Sequence, residues 1–333
     1  MISDARALRP EFVPRDMVHR DGAIDHMAAV LNPVGASENV ALFGPSGSGK
    51  TTLAKFVLGK LEVETLDYRW GYHDCMGESS KAGALHQLVR DAGLARDLRR
   101  SGTPIGEYLD RIRAVDGSLA VVLDEVDVLD DASLITTLAD LPDVSLVTIC
   151  IDQDQLHTSL RTDERVRSRL RSAETIHLDR YSHEELVDII QYRVEHGLDS
   201  SRVDDAAIAE IADIAAGDAR EALAYLRRGA RHVQQGQADR LTVDVVVEVA
   251  DQARDDLRAR RIRYLGTHKR ALYEVIRDAG PDGVRAGELH ERYEQRVQEP
   301  KTRRTRRRYL DRLQEYELIE SGGEKSGRRY VAL

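Results

Sequence analysis

The segment GPSGSGKTT, Gly44 to Thr52, sets Lys50 and Thr51 behind a glycine-rich turn in the spacing G-x-x-x-x-G-K-T. Before it runs the apolar stretch Val40-Ala41-Leu42-Phe43, and after it Leu53, Phe56, Val57 and Leu61 recur at helical spacing. A buried strand thus delivers a turn onto a helix N-terminus, where backbone N–H groups and the helix dipole meet polyphosphate oxygens. In such a cradle Gly44, Pro45, Ser46, Gly47, Ser48, Gly49 and Thr52 supply the wall. Lys50 reaches the β- and γ-oxygens, and the Thr51 hydroxyl holds Mg²⁺. A second apolar run, Leu119 to Leu123, ends in Asp124 and Glu125. Asp124 is placed to hold the same Mg²⁺ through water, and Glu125 to polarise the water that attacks the γ-phosphate. These residue types predict a site for a nucleoside triphosphate with Mg²⁺.

Such groups need strands that end together. The apolar runs Val40–Phe43, Tyr68–Tyr72, Leu119–Leu123, Ser145–Ile151 and Thr175–Leu178 alternate with helical patterns, among them Ala82–Ala92 and Ile105–Val115. That alternation predicts an α/β domain with a parallel sheet over residues 1–179. Over 180–256 the pattern turns helical. Ile189, Ile190, Val194, Ile208, Ile211, Ile214, Leu223 and Leu226 recur at helix spacing, with Gly197 and Gly217 as breaks. A charged stretch, Ala253 to Arg263, leads into a third unit over 257–333 with three helices and a hairpin.

The chain has 333 residues and a net charge of −9, enough length for two or three cored domains. The charge is uneven, with a basic excess from residue 257 onward and an acidic remainder, the pattern of a tail domain that meets a polyanion. Seven Lys stand against 42 Arg, and 34 Asp against 24 Glu, a balance that matches proteins of salt-loving archaea, while GC-rich coding by itself also produces the Arg bias. No apolar run approaches a membrane span, and the first dozen residues lack the layout of a secretory signal. Cys75 and Cys150 are far apart, and no histidines stand in an H-E-x-x-H arrangement. A cytoplasmic, nucleoid-associated protein with no membrane partner is expected.

The basic end predicts a winged helix. Leu272, Val275 and Ile276 set a first helix, Leu289 and Tyr293 a second, and KTRRTRRRYLDRLQEY a third capped by Thr302. With Leu310, Leu313 and Tyr316 facing the core, helical rotation turns Arg304, Arg307, Arg308 and Arg312 outward and leaves Arg303 and Arg306 nearer the buried side. Leu318-Ile319-Glu320, SGGEKSG and Arg328–Leu333 form a strand–turn–strand wing with Lys325, Arg328 and Arg329 near its tip. A recognition helix in the major groove of duplex DNA, with a basic wing on the backbone, is the expected use.

LDEVDVLDD, which contains Asp124 and Glu125, matches the D-E-x-D-x-L form of the Walker B motif of AAA+ ATPases. FVPRDMVHRDGAI, YHDC (Tyr72–Cys75, with Asp74 where an Asn is usual), RVRSRL (Arg165–Leu170), Tyr181 and Arg193 twelve residues apart, and GDAREAL (Gly217–Leu223) follow in order. Together they resemble the archaeal replication initiators related to the origin recognition complex and the cell-division-control loader. The resemblance runs from about residue 8 to the C-terminus.

The resemblance implies an AAA+ P-loop NTPase with a helical lid and a C-terminal winged-helix domain. It implies that Arg220 reaches the γ-phosphate from the lid, and that Tyr181 and Arg193 make adenine-side and lid contacts. Val13, Pro14 and Ile189 join the nucleotide site. Arg169, with Arg165 second, is the candidate arginine finger for a neighbour's site. A helical insertion near Ser79–Ala92 is implied to contact DNA. At the first sensor an Asn is usual, and here Gln153 takes its place between Asp152 and Asp154. The longer side chain displaces the amide, and slow, switch-like ATP turnover is expected. The expected function is an origin-binding initiator that marks duplex DNA and recruits the replicative helicase together with other initiator copies. A DNA-binding regulator that loads no helicase is the alternative. A clamp-loader subunit is disfavoured, because those chains end in a helical collar.

Overall fold

The computed structural model describes residues 1–32, 38–95, 97–154, 156, 164–323 and 328–333. The α/β part begins with α1 (Asp21–Leu31), β1 (Val40–Phe43), α2 (Lys50–Glu64), β2 (Tyr68–Asp74), α3 (Lys81–Asp91) and α4 (Ile105–Arg113). It continues with β3 (Ser118–Asp124), α5 (Ser133–Ala139), β4 (Val144–Ile149), α6 (Glu164–Ser172) and β5 (Glu174–His177). The five strands are parallel in the order β2-β3-β4-β1-β5. β1 is buried throughout and β3 nearly so, because helices cover both sheet faces. That is why these strands read as unbroken apolar runs without alternation.

The helical part comprises α7 (His183–Gly197), α8 (Asp205–Ala215), α9 (Ala219–Gln234) and α10 (Val243–Tyr264). Ser182 and Glu185 form a capping box at the start of α7, and Asp218 caps α9 through the amides of Arg220 and Glu221. These helices bury a core of their own, including Leu186, Ile190, Ile211, Leu226 and Val246. α10 runs unbroken across residues 256 and 257, so the charged stretch from Ala253 to Arg263 is helix and not linker.

α11 (Thr267–Asp278), β6 (Val284–Arg285), α12 (Ala286–Arg296), α13 (Arg303–Glu315), β7 (Ile319–Gly322) and β8 (Arg329–Ala332) complete the chain. The last strands form an antiparallel sheet in the order β6-β8-β7, which with α11–α13 makes a winged-helix arrangement. This unit is seated on the α/β part. Leu272, Tyr293 and Leu313 belong to one continuous core with Leu85, Val128 and Leu134. At its entry Gly266 N–H donates to the Met76 carbonyl (3.1 Å). Buried Lys269 donates to the carbonyls of Cys75 (3.1 Å) and Met76 (3.0 Å). Among the described residues no helix is long and apolar enough to cross a membrane.

Candidate functional site

The phosphate loop joins β1 to α2 and rests against the start of α9. Gly47 has φ +75°, and a Cβ there would lie 2.0 Å from Asp218 Oδ1. Its carbonyl accepts from Ala219 N–H at 3.2 Å. Gly49, φ +91°, would place a Cβ 2.4 Å from the Tyr181 hydroxyl. Only glycine meets both the positive φ and the close approach at these two positions. The Ser46 and Ser48 hydroxyls are buried and have no hydrogen-bond partner among the described residues. Buried polar groups of this kind call for a partner, and a loop of backbone amides at a helix N-terminus fits an anionic phosphate chain.

Lys50 folds over the loop and donates to the carbonyls of Gly44 and Pro45, both at 2.7 Å. Burial pushes its ammonium down to about 8, against the opposing pull of Asp124. The Thr51 hydroxyl donates to Asp124 Oδ2 at 2.6 Å, and the Tyr72 hydroxyl donates to the same oxygen at 2.9 Å. Among the described residues no cluster of three or more His, Cys, Asp or Glu could hold a metal ion. Thr51 and Asp124 are the residues here that could hold Mg²⁺, which takes few protein oxygens and fills its octahedron with phosphate and water. Glu125 follows with φ +54°. Burial drives its carboxyl up to about 8, partly offset by Arg312 and reinforced by Asp74 and Asp124.

A cavity of about 740 Å³ spreads from this loop toward α3, α7, α9 and α10. Ser46, Gly47, Gly49, Lys50, Thr51, Thr52, Asp124 and Glu125 line it, and so do Val13, Pro14, Tyr181, Ile189, Arg193 and Arg220. The fold thus gathers most of the expected nucleotide residues at one place. Gly44, Pro45 and Ser48 do not line the cavity; the Gly44 and Pro45 carbonyls accept from Lys50, and Ser48 is fully buried. Arg193 also anchors the N-terminal segment, donating to the carbonyls of Ala7 (2.9 Å) and Phe12 (3.2 Å).

Three predicted residues lie outside this cavity's lining, and two of them, Arg165 and Arg169, are expected to serve a neighbour's site and not this one. Gln153 is half-buried beyond the end of β4 and does not line the cavity, where Ile149, Cys150 and Ile151 form the edge instead. Arg169 sits on the surface of α6, paired with Asp140 at 2.6 Å, and Arg165 is exposed on the same helix; neither lines this chain's cavity.

The larger correction concerns α13. Arg304 and Arg307 are exposed, as the helical rotation predicts. Arg312, also expected outward, is 1% exposed, and Arg308 is half-buried. Both lie against the segment after β3. Arg308 donates to the carbonyls of Asp127 (3.2 Å) and Leu129 (3.3 Å). Arg312 pairs with Asp127, and with Glu315 at 2.7 Å. Burial works against its charge, but Glu125 and Asp127 outweigh that and hold the guanidinium above its ordinary range. The helix has a second buried face made of polar contacts, which an apolar periodicity does not register. Arg306 is buried as expected and reaches Glu294 at 2.8 Å, whereas Arg303 is exposed. In the wing Arg328 is half-buried, and Arg329 is exposed and donates to the Asp282 carbonyl at 2.7 Å. Lys325 lies outside the described residues.

Some residues in the cavity lining or packed against it had no assignment from sequence. The Arg20 guanidinium stacks on the Tyr181 ring at 3.9 Å and donates to the carbonyls of Ser48 (3.2 Å) and Asp179 (2.9 Å), tying the N-terminal segment to the loop. Its only signal was its place in the His-Arg pair before α1. Arg261 and Tyr316 also reach the cavity, the former donating to the Tyr316 carbonyl at 2.7 Å. Nothing local in sequence distinguishes a core tyrosine of a winged helix from one that borders a nucleotide site.

Comparison with known proteins gives consistent matches along the chain. A family model described as an AAA domain matches residues 36–170, and one described as a Cdc6 AAA+ ATPase-type lid domain matches residues 187–252. The chain is similar to ORC1-type DNA replication protein 9 of Halobacterium salinarum, at 37% identity over 99% of this chain and 93% of that protein. ORC1-type DNA replication protein 1 of the same organism is 36% identical, over 91% of this chain and 99% of its own length. Among solved structures, Aeropyrum pernix ORC1 in complex with DNA shares the fold at TM-score 0.73 and 23% identity, covering 99% of this chain and 93% of that one. Aeropyrum pernix ORC2 in ADPNP-ADP complexes does so at TM-score 0.65 and 22% identity, over 99% and 94%.

Proposed function

Since the chain belongs to the family of ORC1-type DNA replication proteins, we propose that it is a replication initiator whose grip on duplex DNA is set by bound ATP or ADP. The observation that carries this is the convergence of Lys50, Thr51, Asp124, Glu125 and Arg220, from loop, sheet and lid, on one cavity. Lys50 neutralises the β- and γ-phosphates, and Arg220 at the start of α9 adds a second cation from the lid. Thr51 and Asp124 hold Mg²⁺, which would shield phosphate charge. Glu125 accepts a proton from the attacking water while Ile149, Cys150 and Ile151 close the far wall.

Because Asp218 and Ala219 touch Gly47 directly, a change at the loop is felt at once by α9. Lid angle therefore follows nucleotide state. Arg304, Arg307, Arg328 and Arg329 form the DNA surface of the winged helix, and α3 contributes from the α/β part. Arg169 completes the site of an adjoining copy. Turnover is slow, with Gln153 away from the cavity.

Gln153 in place of the usual Asn also favours a second reading, in which ATP is a structural ligand of a DNA-binding regulator and no helicase is loaded. Footprinting across the genome separates the two. Origin-proximal peaks together with co-purifying replicative helicase support the initiator, and peaks scattered over promoters overturn it. If duplex affinity is the same with ATP, with ADP and without nucleotide, the switch itself is wrong.

A further inference from the structure

Arg312 belongs to the winged helix by sequence but is buried against the acidic segment that follows β3. Its guanidinium is inserted behind β3, where it pairs with Asp127 and lies 3.7 Å from Glu125 Oε2. Arg312 Nε and Glu125 Oε2 are both buried, and neither has a hydrogen-bond partner among the described residues. A guanidinium and a carboxyl group thus face each other just outside hydrogen-bond range, where a small closure makes a bond to the guanidinium and a small opening removes it. Around them the contact continues. Arg308 donates to the Asp127 and Leu129 carbonyls, Tyr309 donates to Asp130, and Lys301 pairs with Asp130 at 2.9 Å. Three acids of the segment after Asp124, namely Glu125, Asp127 and Asp130, each meet a group from the C-terminal unit.

We propose that Arg312 is a positioning residue of the ATP site: it draws the Glu125 carboxylate toward α13, so that hydrolysis is slow while the winged helix is docked and faster when α13 lets go. The proposal rests on the reading of the chain as a slow ATPase. A base must lie within hydrogen-bond reach of the water whose proton it takes. Here the guanidinium competes for the same carboxylate lone pairs, and Asp127 and Glu315 anchor it so that it does not follow Glu125 toward the cavity. α13 also carries exposed Arg304 and Arg307. Duplex contact therefore acts on the helix that restrains the base, and a path from DNA to ATP turnover runs through one element.

Single-turnover ATP hydrolysis by the full chain tests this in the wild type, Arg312→Ala, Arg312→Lys and the double variant Lys301→Ala/Tyr309→Phe, with Lys50→Ala as the baseline. Arg312→Ala should hydrolyse about tenfold faster at unchanged nucleotide affinity, a partial recovery of the general-base contribution. Arg312→Lys, which keeps the charge, should stay near wild type. The Lys301→Ala/Tyr309→Phe variant loosens docking at Asp130 without touching Glu125 and should also rise. It carries the test if Arg312→Ala does not fold. Rates at or below wild type in these variants, with nucleotide affinity kept, overturn the coupling. If wild type exceeds the Lys50→Ala baseline in that case, the ATPase reading survives alone. If no protein exceeds the baseline, both fall.

Discussion

The phosphate loop at the start of α2 and the arginine-rich helix α13 are the two densest signals in the chain, and they behave differently once folded. In the loop each residue does locally what its type dictates. Gly47 and Gly49 take positive φ, Lys50 folds across the turn, and Thr51 reaches Asp124 at 2.6 Å. In α13 residues of one type are divided among three environments. Arg304 and Arg307 face solvent, Arg306 supports the winged helix internally through Glu294, and Arg308 and Arg312 clasp the segment after β3. A glycine–lysine motif encodes its own geometry through backbone conformation. An arginine encodes only reach and charge, so its neighbours decide its role.

That contrast can be sharpened or broken by substitution. The largest effect is expected at Glu125→Gln, which keeps shape but removes the base. Hydrolysis should fall about 10²–10⁴-fold while nucleotide affinity holds. Unchanged turnover in a quench-flow assay would remove Glu125 from the chemistry. Next, Lys50→Ala should weaken ATP binding about 100-fold, the loss of charge-assisted bonds to two phosphates, as measured by calorimetry.

Within α13 the division into environments predicts unlike outcomes for like residues. Arg306→Ala leaves Glu294 and the His290 carbonyl without their partner and should lower the unfolding free energy by about 1–3 kcal/mol in chemical denaturation. DNA affinity of the folded protein should be nearly unchanged. The mildest expectation is for Arg304→Ala with Arg307→Ala. Melting should be unaltered, while the slope of log affinity for duplex DNA against log salt becomes shallower by about two. If Arg306 changes the salt slope and the Arg304/Arg307 pair changes stability, the assignment of faces is inverted.

Much of the α/β part was legible before folding. Val40–Phe43 and Leu119–Leu123 coincide with strands to within a residue or two, because a strand covered on both faces must be apolar throughout. The helical pattern from Ser182 onward held for the same reason at a different period. Less legible was the junction at residues 256 and 257. There α10 continues as a charged helix that keeps only Ala253 and Leu257 buried and otherwise meets ion pairs and the cavity. Gln153 was placed by order of motifs along the chain. Its distance from the cavity depends on how the backbone turns after β4, which motif order does not specify.

By itself the sequence determined the phosphate cradle, the acid pair after β3, the parallel sheet, the helical lid and the basic winged helix, since each follows from local spacing or from the burial period of one element. Only the tertiary structure decided that the winged helix packs on the α/β core, that Tyr316 lines the cavity, and that Arg312 is buried facing Glu125. The physical reason is range. Periodicity and turn chemistry act over a few residues, whereas a guanidinium and a carboxylate 187 positions apart in sequence meet only when two separate cores have closed on each other.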